Sequence, residues 1–188
     1  VASDFFIGDP RRSMAMLYVS LLFNTAPFMI YFGQELGERG METEGYSGVD
    51  GRTTIYDFWS LSSVRRFLAG MDAGDVFKNL TDSEAGILSA YRKLLRLSVG
   101  TPSFEVGKTF DLMYVNPRSD HFDPRYHYAF LRSDGREIYL IAANFSQWDA
   151  TVSINIPQEV FDYFGVCGSP SQITVSVKAF DGNIIQII

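Results

Sequence analysis

One cysteine, two histidines and the lack of any run of lysine or arginine close off several chemistries at once. With Cys167 as the only thiol, an intrachain disulfide and a zinc cluster built from thiolates are both excluded. Its apolar neighbours Phe164 and Val166 predict a buried structural thiol. Sixteen basic against twenty-two acidic side chains give a net charge of -6, and no basic cluster is available to displace counterions from a phosphate backbone. Nucleic acid is therefore not expected as a partner. Long apolar runs are also absent: the strongest, Met14 to Phe23, is half of the roughly 20 residues that a bilayer helix requires, so no membrane span is expected. The sequence shows no charged leader with a cleavage site, no internal repeat and no low-complexity tract.

What is present is ample apolar material. With 46% hydrophobic and 15% aromatic residues, 188 residues bury one moderate core or two small ones, and whole-chain disorder is excluded. Asp9 and Pro10 form a helix-start signal: a side-chain oxygen accepts an orphan N–H, and proline stands where its missing donor is harmless. A helix is predicted from there to about Asn24. Met14, Leu17, Tyr18, Leu21 and Leu22 fall on one face, and Ala15, Met16, Val19 and Phe23 make the rest apolar too, as in a helix covered on most of its girth. Phe28 to Phe32, unbroken and without alternation, predicts a strand buried on both faces. Gly33 to Leu80 is glycine-rich and loop-like, with a short helix expected at Leu61 to Leu68. Thr81 and Glu84 then make a capping box, followed by an amphipathic helix to about Ser98 that Gly100 and Pro102 end.

Beyond Pro102 the period changes to two. Strands are predicted at Phe110 to Val115, Arg125 to Arg132, Glu137 to Asn144, Ala150 to Ile156, Ile173 to Phe180 and Ile184 to Ile188. Turns at Ser133-Asp134-Gly135 and Asp181-Gly182-Asn183 suggest hairpins of an antiparallel sandwich. Thr151, Ser153 and Asn155 alternate with Val152, Ile154 and Ile156, one face wet and one dry. The expected division is 1–100 and 101–188.

Two segments carry a family likeness. Ile30, Tyr31, Phe32, Gly33, Gln34 and Glu35 resemble the last barrel strand of the α-amylase family of glycoside hydrolases, which ends in an aromatic-Gly-x-Glu pattern. Arg52, Ile55, Tyr56, Asp57, Phe58 and Trp59, within DGRTTIYDFW, resemble the Arg-containing turn and aromatic pair that follow it. The likeness continues in order through YRKLLRL (Tyr91 to Leu97) and the strands FDLMYVN, YHYAFLR and IYLIAANFS, and so covers nearly the whole chain. DGRTTIYDFW and FDLMYVN further resemble a branch common in polysaccharide-degrading bacteria. The resemblance implies a mixed α and β fold: helices and last strand of a (β/α)8 barrel, then a C-terminal β-sandwich. It also implies a parent enzyme that acts on α-glucans such as starch and maltodextrin by retaining hydrolysis, with glucosyl transfer at the same bond as the open alternative, using an Asp nucleophile and a Glu acid/base.

The sequence departs from the family pattern at Thr25, Ala26 and Pro27, where Gly-x-Pro is usual, and by one extra residue before Gly33. The family's three essential carboxylates lie on earlier barrel strands, so no catalytic residue is assigned here and the segment is expected to be inactive alone. Calcium, where the family uses it, is bound mainly by earlier segments; no cofactor or metal ligand is assigned. The implied partners are an α-glucan and the missing part of the barrel, and the apolar strand at Phe28 to Phe32 is expected to invite self-association once its neighbours are gone. Localisation is open: periplasmic, secreted and cytoplasmic parents all fit.

By the same resemblance, the candidate substrate-contact residues are Gln34, Glu35, Arg52, Asp57 and Trp59, at the C-terminal face of the barrel. Two readings of them stand. Glu35 either meets sugar hydroxyls or pairs with Arg52; Tyr56, Phe58 and Trp59 either line the pocket or pin the loop. His121, flanked by Asp120 and Asp123, reads as a solvated turn, and His127 as a strand residue. Tyr126, Tyr128 and Trp148 suggest a stacking platform for sugar rings, the basis of the alternative function, a non-catalytic carbohydrate-binding or amylase-like interaction module.

Overall fold

The computed structural model describes residues 8–38 and 61–188, which fall into two compact units. The first comprises residues 8–13, 29–38 and 61–93; the second comprises 14–28 and 94–188.

In the first unit a 3₁₀ turn at Pro10–Ser13 follows Asp9, as the Asp-Pro signal predicts, and a second 3₁₀ turn spans Gln34–Leu36. Helix α2 runs Ser62–Asp72, and α3 (Asp82–Gly100) carries the chain on into the second unit. The capping box forms as read from the sequence. The Glu84 N–H donates to Thr81 Oγ1 at 3.3 Å, and the Thr81 N–H donates to Glu84 Oε2 at 2.9 Å, so two orphan amides are satisfied reciprocally. Leu36, Leu61, Val64 and Leu88 make a small core, with Phe32, Phe67, Phe77 and Leu80 against it.

The strand expected at Phe28 to Phe32 is not formed; these residues are irregular, and Met29 is 80% exposed. Among the described residues of this unit there is no strand to accept its backbone hydrogen bonds. Apolar content alone does not hold a lone segment extended.

The second unit opens with α1 (Met14–Leu22), shorter than the stretch to Asn24. After the short helix α4 (Pro102–Glu105) come β1 (Lys108–Asp111), β2 (His127–Ser133), β3 (Ile138–Asn144), β4 (Ala150–Ile156), helix α5 (Gln158–Phe164), β5 (Ser171–Val177) and β6 (Gly182–Gln186). All pairings are antiparallel, in a four-stranded sheet ordered β1-β2-β3-β6 and a two-stranded sheet β4-β5. Leu131, Leu140 and Ala142 from the larger sheet meet Val152, Ile154, Val175 and Val177 from the smaller, and Val160, Phe161 and Phe164 of α5 complete this core.

The opposite face of the larger sheet is covered as well. Helix α1 lies there: the Ala15 N–H donates to the Phe180 carbonyl at 2.9 Å, and Phe23 meets Phe130 edge-on at 5.3 Å between ring centroids. Burial on both faces explains why β2 and β3 read as nearly continuous apolar runs rather than alternating ones. β4, open on one face, alternates as expected.

Four expectations for this unit are corrected. The predicted strand Phe110 to Val115 stops at Asp111, whose Oδ1 accepts the Met113 N–H at 2.7 Å and turns the chain into a 3₁₀ turn at Met113–Val115. Asp181-Gly182-Asn183 is no hairpin, because β6 crosses over to pair with β3 while β5 pairs with β4. The connection carrying Trp148 likewise joins the two sheets. Cys167 is exposed, beyond the turn that Gly165 (φ 71°) makes after α5. Helix α5 itself had legible signals, Pro157 before it and Gly165 after it, with Val160, Phe161 and Phe164 on its buried face.

Candidate functional site

The Gly33 to Glu38 segment is held by its two glycines. Both adopt left-handed backbone conformations, φ 75° at Gly33 and φ 69° at Gly37, and a Cβ on Gly37 would come within 2.7 Å of Ile87 and Pro10. Gln34 is engaged within the unit: its Nε2 donates to the Tyr91 hydroxyl at 2.7 Å, and its Oε1 accepts the Tyr31 N–H at 3.2 Å. Glu35 sits beside it with Oε2 buried and without a hydrogen-bond partner among the described residues. Burial pushes the Tyr91 phenol up, the Gln34 bond opposes this, and the Glu35 charge adds to it, so Tyr91 stays neutral and accepts from Gln34. Arg52, Asp57 and Trp59, with Tyr56 and Phe58, lie outside the described residues, and with them the proposed Glu35 to Arg52 pair.

Next to this segment an open cavity of about 850 Å³ is lined by Asp9, Arg11, Glu38, Ser63, Arg66 and Glu84, among others. Its charges are of both signs, with the carboxylates of Asp9, Glu38, Asp82 and Glu84 outnumbering the guanidinium groups of Arg11 and Arg66. Arg66 forks onto Glu84, Nε to Oε2 at 3.0 Å and Nη2 to Oε1 at 2.5 Å. Burial works to raise the Glu84 carboxyl, yet the bonds from Arg66 and Thr81 prevail and hold it below the usual range. Glu38 is buried and accepts a short hydrogen bond from Ser63. Asp9 is held low chiefly by its hydrogen bonds from Arg11, which reach 2.9 Å. Both arginines are thus engaged in ion pairs within the protein. Nothing in the sequence pointed to Arg66, whose partner is 18 residues away. Among the described residues no group of three or more His, Cys, Asp or Glu side chains is placed to hold a metal ion.

The second unit has its own groove, of about 340 Å³, lined by Val19, Pro124, Arg125, Tyr126, His127, Tyr128 and Phe145. Of the three aromatics suggested as a stacking platform, it gathers Tyr126 and Tyr128. Trp148 stands apart, 64% exposed, on the β3 to β4 crossover. Phe145, missed in the sequence, takes its place. The Tyr128 hydroxyl donates to Asp111 Oδ2 at 2.7 Å. His127 Nδ1 accepts the Asp123 N–H at 3.0 Å, and burial lowers the His127 pKa although Asp123 acts the other way, so the ring is neutral. His121 is exposed in a turn, as expected. No described helix is long and apolar enough to cross a membrane.

No family model and no curated protein matches the chain. Solved structures do. AmyP in complex with maltose is similar over 95% of this chain and 35% of that one, with a TM-score of 0.60 and 11% identity. An AmyP variant in complex with maltotriose covers 94% of this chain and 35% of its own at a TM-score of 0.58 and 15% identity. The acarbose-soaked debranching enzyme of Nostoc punctiforme covers 94% and 29%, with a TM-score of 0.52 and 20% identity. The fold is that of a C-terminal part of α-amylase family enzymes. The α-amylase likeness at these identities is one of fold, and the chain spans about a third of the length of the structures it matches.

Proposed function

We propose that this chain is the C-terminal portion of an α-amylase-like glycoside hydrolase that acts on α-glucans, starch and maltodextrin, by retaining hydrolysis. The observation that carries the reading is collinearity. The order YFGQE, DGRTTIYDFW, YRKLLRL and the sandwich strands resembles the family from end to end, and a fold likeness over 95% of the chain to a maltose-bound protein supports it independently. In this reading Gln34, Glu35, Arg52, Asp57 and Trp59 contact or frame the sugar, and the acids that break the bond lie in the part of the barrel that precedes Val1. The 188-residue segment is inactive alone. Exposed Met29, Ile30 and Tyr31 support an expectation that the isolated segment self-associates.

Reading the coding frame upstream of Val1 tests this. A (β/α)8 barrel bearing three carboxylates on its fourth, fifth and seventh strands, an Asp nucleophile and a Glu acid/base among them, agrees with it. A barrel without those acids supports the interaction module instead, and an unrelated upstream region contradicts the enzyme reading.

A further inference from the structure

We propose that the open edge of β5 is an interaction surface for a second copy of this chain, whose own β5 adds to it antiparallel. The alternation of an antiparallel ladder decides which backbone groups face outward. On β4 the Ser153 N–H donates to the His121 carbonyl at 3.1 Å and the Asn155 N–H to Asn116 Oδ1 at 2.7 Å, so both residues point away from β5. Their partners across the ladder, Thr174 and Gln172, therefore point away from β4, and Ser176, opposite Thr151, follows by the same alternation. Of the outward N–H and C=O groups on these residues, only the Ser176 carbonyl has a protein partner among the described residues: Asn183 Nδ2 donates to it at 3.0 Å.

Each other described edge of this unit is blunted. β1 is four residues long, with Lys108 and Asp111 exposed at its ends. β4 is covered on its outer side through its two bonds to residues 116–121. On β6 the outward N–H groups of Gly182 and Ile184 are taken by Asp181 Oδ1 and Asn183 Oδ1, both at 2.8 Å. β5 has none of these devices: its seven residues, Ser171–Val177, carry no charge and no proline.

The partner follows from the strand itself. Lys178, just past its end, is paired with Asp149 at 2.6 Å, and a charged peptide finds no counter-charge along β5. The strand does match itself. With Ile173 on a two-fold axis, Gln172 of each copy lies opposite Thr174 of the other, their outward N–H and C=O groups bond, and the bond from Asn183 to Ser176 stays in place. The polar side chains remain on the wet face, where Thr174 already meets Ser153 at 3.3 Å and Gln172 meets Asn155 at 2.8 Å. Half-buried Ile173 meets its symmetry mate on the dry face. A two-stranded sheet thus becomes four-stranded in a closed, isologous pair.

The test is sedimentation velocity of the full-length protein together with amide hydrogen exchange at Gln172 and Thr174, both followed over a dilution series. The expected result is a dimer in which the two amides are protected, with protection lost on dilution as the dimer dissociates. Thr174→Pro removes a donor that β4 does not use, so the monomer keeps its ladder while dimerisation weakens about tenfold or more. Should Thr174→Pro fail to fold, the dilution dependence of the wild-type amides decides. A monomer at every concentration overturns the proposal, as does a dimer that Thr174→Pro leaves intact or whose two amides exchange freely. Amides protected in a monomer mean that another segment of the parent covers the edge, which overturns it too.

Discussion

Arg132 Nη1 donates to the carbonyl of Leu22 at 2.8 Å, joining residues 110 positions apart at a fully buried site. The same guanidinium donates through Nη2 to the carbonyls of Phe104 at 3.0 Å and Gly107 at 2.9 Å. One side chain thus caps the C-terminal end of α1, where the helix dipole favours a cation, and fixes the approach of α4 to β1. Burial lowers its pKa, yet a guanidinium keeps its charge.

Replacing Arg132 by Ala leaves three carbonyls without donors, and we expect a loss of about 2–4 kcal/mol in urea unfolding. Arg132→Lys, with a single ammonium in place of the fork, recovers only part. An unchanged midpoint for Arg132→Ala would show that α1 is held by other contacts.

Gly182 meets Tyr18 so closely that a Cβ there would lie 2.4 Å from the ring. Gly182→Ala is expected to destabilise by about 1–3 kcal/mol through overpacking between β6 and α1. Burial raises the Tyr18 phenol to about 12, with the Asp181 charge adding to it, so spectrophotometric titration should find this tyrosine late. A stable Gly182→Ala protein whose Tyr18 titrates in the ordinary range would contradict this packing.

Local signals were read well from sequence, and partners distant in sequence were not. The Thr81 and Glu84 capping box and the alternation of Ala150–Ile156 are encoded within a few residues, and both formed where expected. The strand at Phe28 to Phe32 failed because a strand exists only with a neighbour. The break after Asp111 was legible in principle as an aspartate two residues before a turn. The pairing of β6 with β3, the threefold role of Arg132 and the fork of Arg66 onto Glu84 depend on tertiary placement that no window of sequence contains. Gln34 and Glu35 were singled out by their resemblance to an aromatic-Gly-x-Glu strand end, and, in the second unit, Tyr126 and Tyr128 of the groove by their aromatic spacing. Val19 and Phe145 joined them only when α1 folded back on the sheet.

Glu84 titrates low in the folded state, so its contribution is present above the ordinary glutamate range and fades as pH falls through its lowered folded value. Stability should therefore decline below about pH 4, and Glu84→Gln should flatten that decline. His127 adds a second slope. Its folded pKa is depressed, so the unfolded chain takes up a proton first, and stability drops as pH falls below about 6.5 until the folded ring also protonates. Denaturant midpoints between pH 3 and 8 for Glu84→Gln and His127→Gln check both signs.

Cys167 is exposed, and the native protein should react with a disulfide reagent at this position without denaturant. Labelling that requires unfolding would restore the buried thiol expected from Phe164 and Val166.

The most direct test of the central claim, that the fold belongs to a retaining α-glucan hydrolase whose acids lie outside this segment, is proton NMR of maltotetraose hydrolysis. The full-length protein and the 188-residue chain are compared, with the anomer released first as the readout. The account predicts α-anomer from the full-length protein and no product from the segment. Product from the segment alone, β-anomer first, or an inert full-length protein would contradict it.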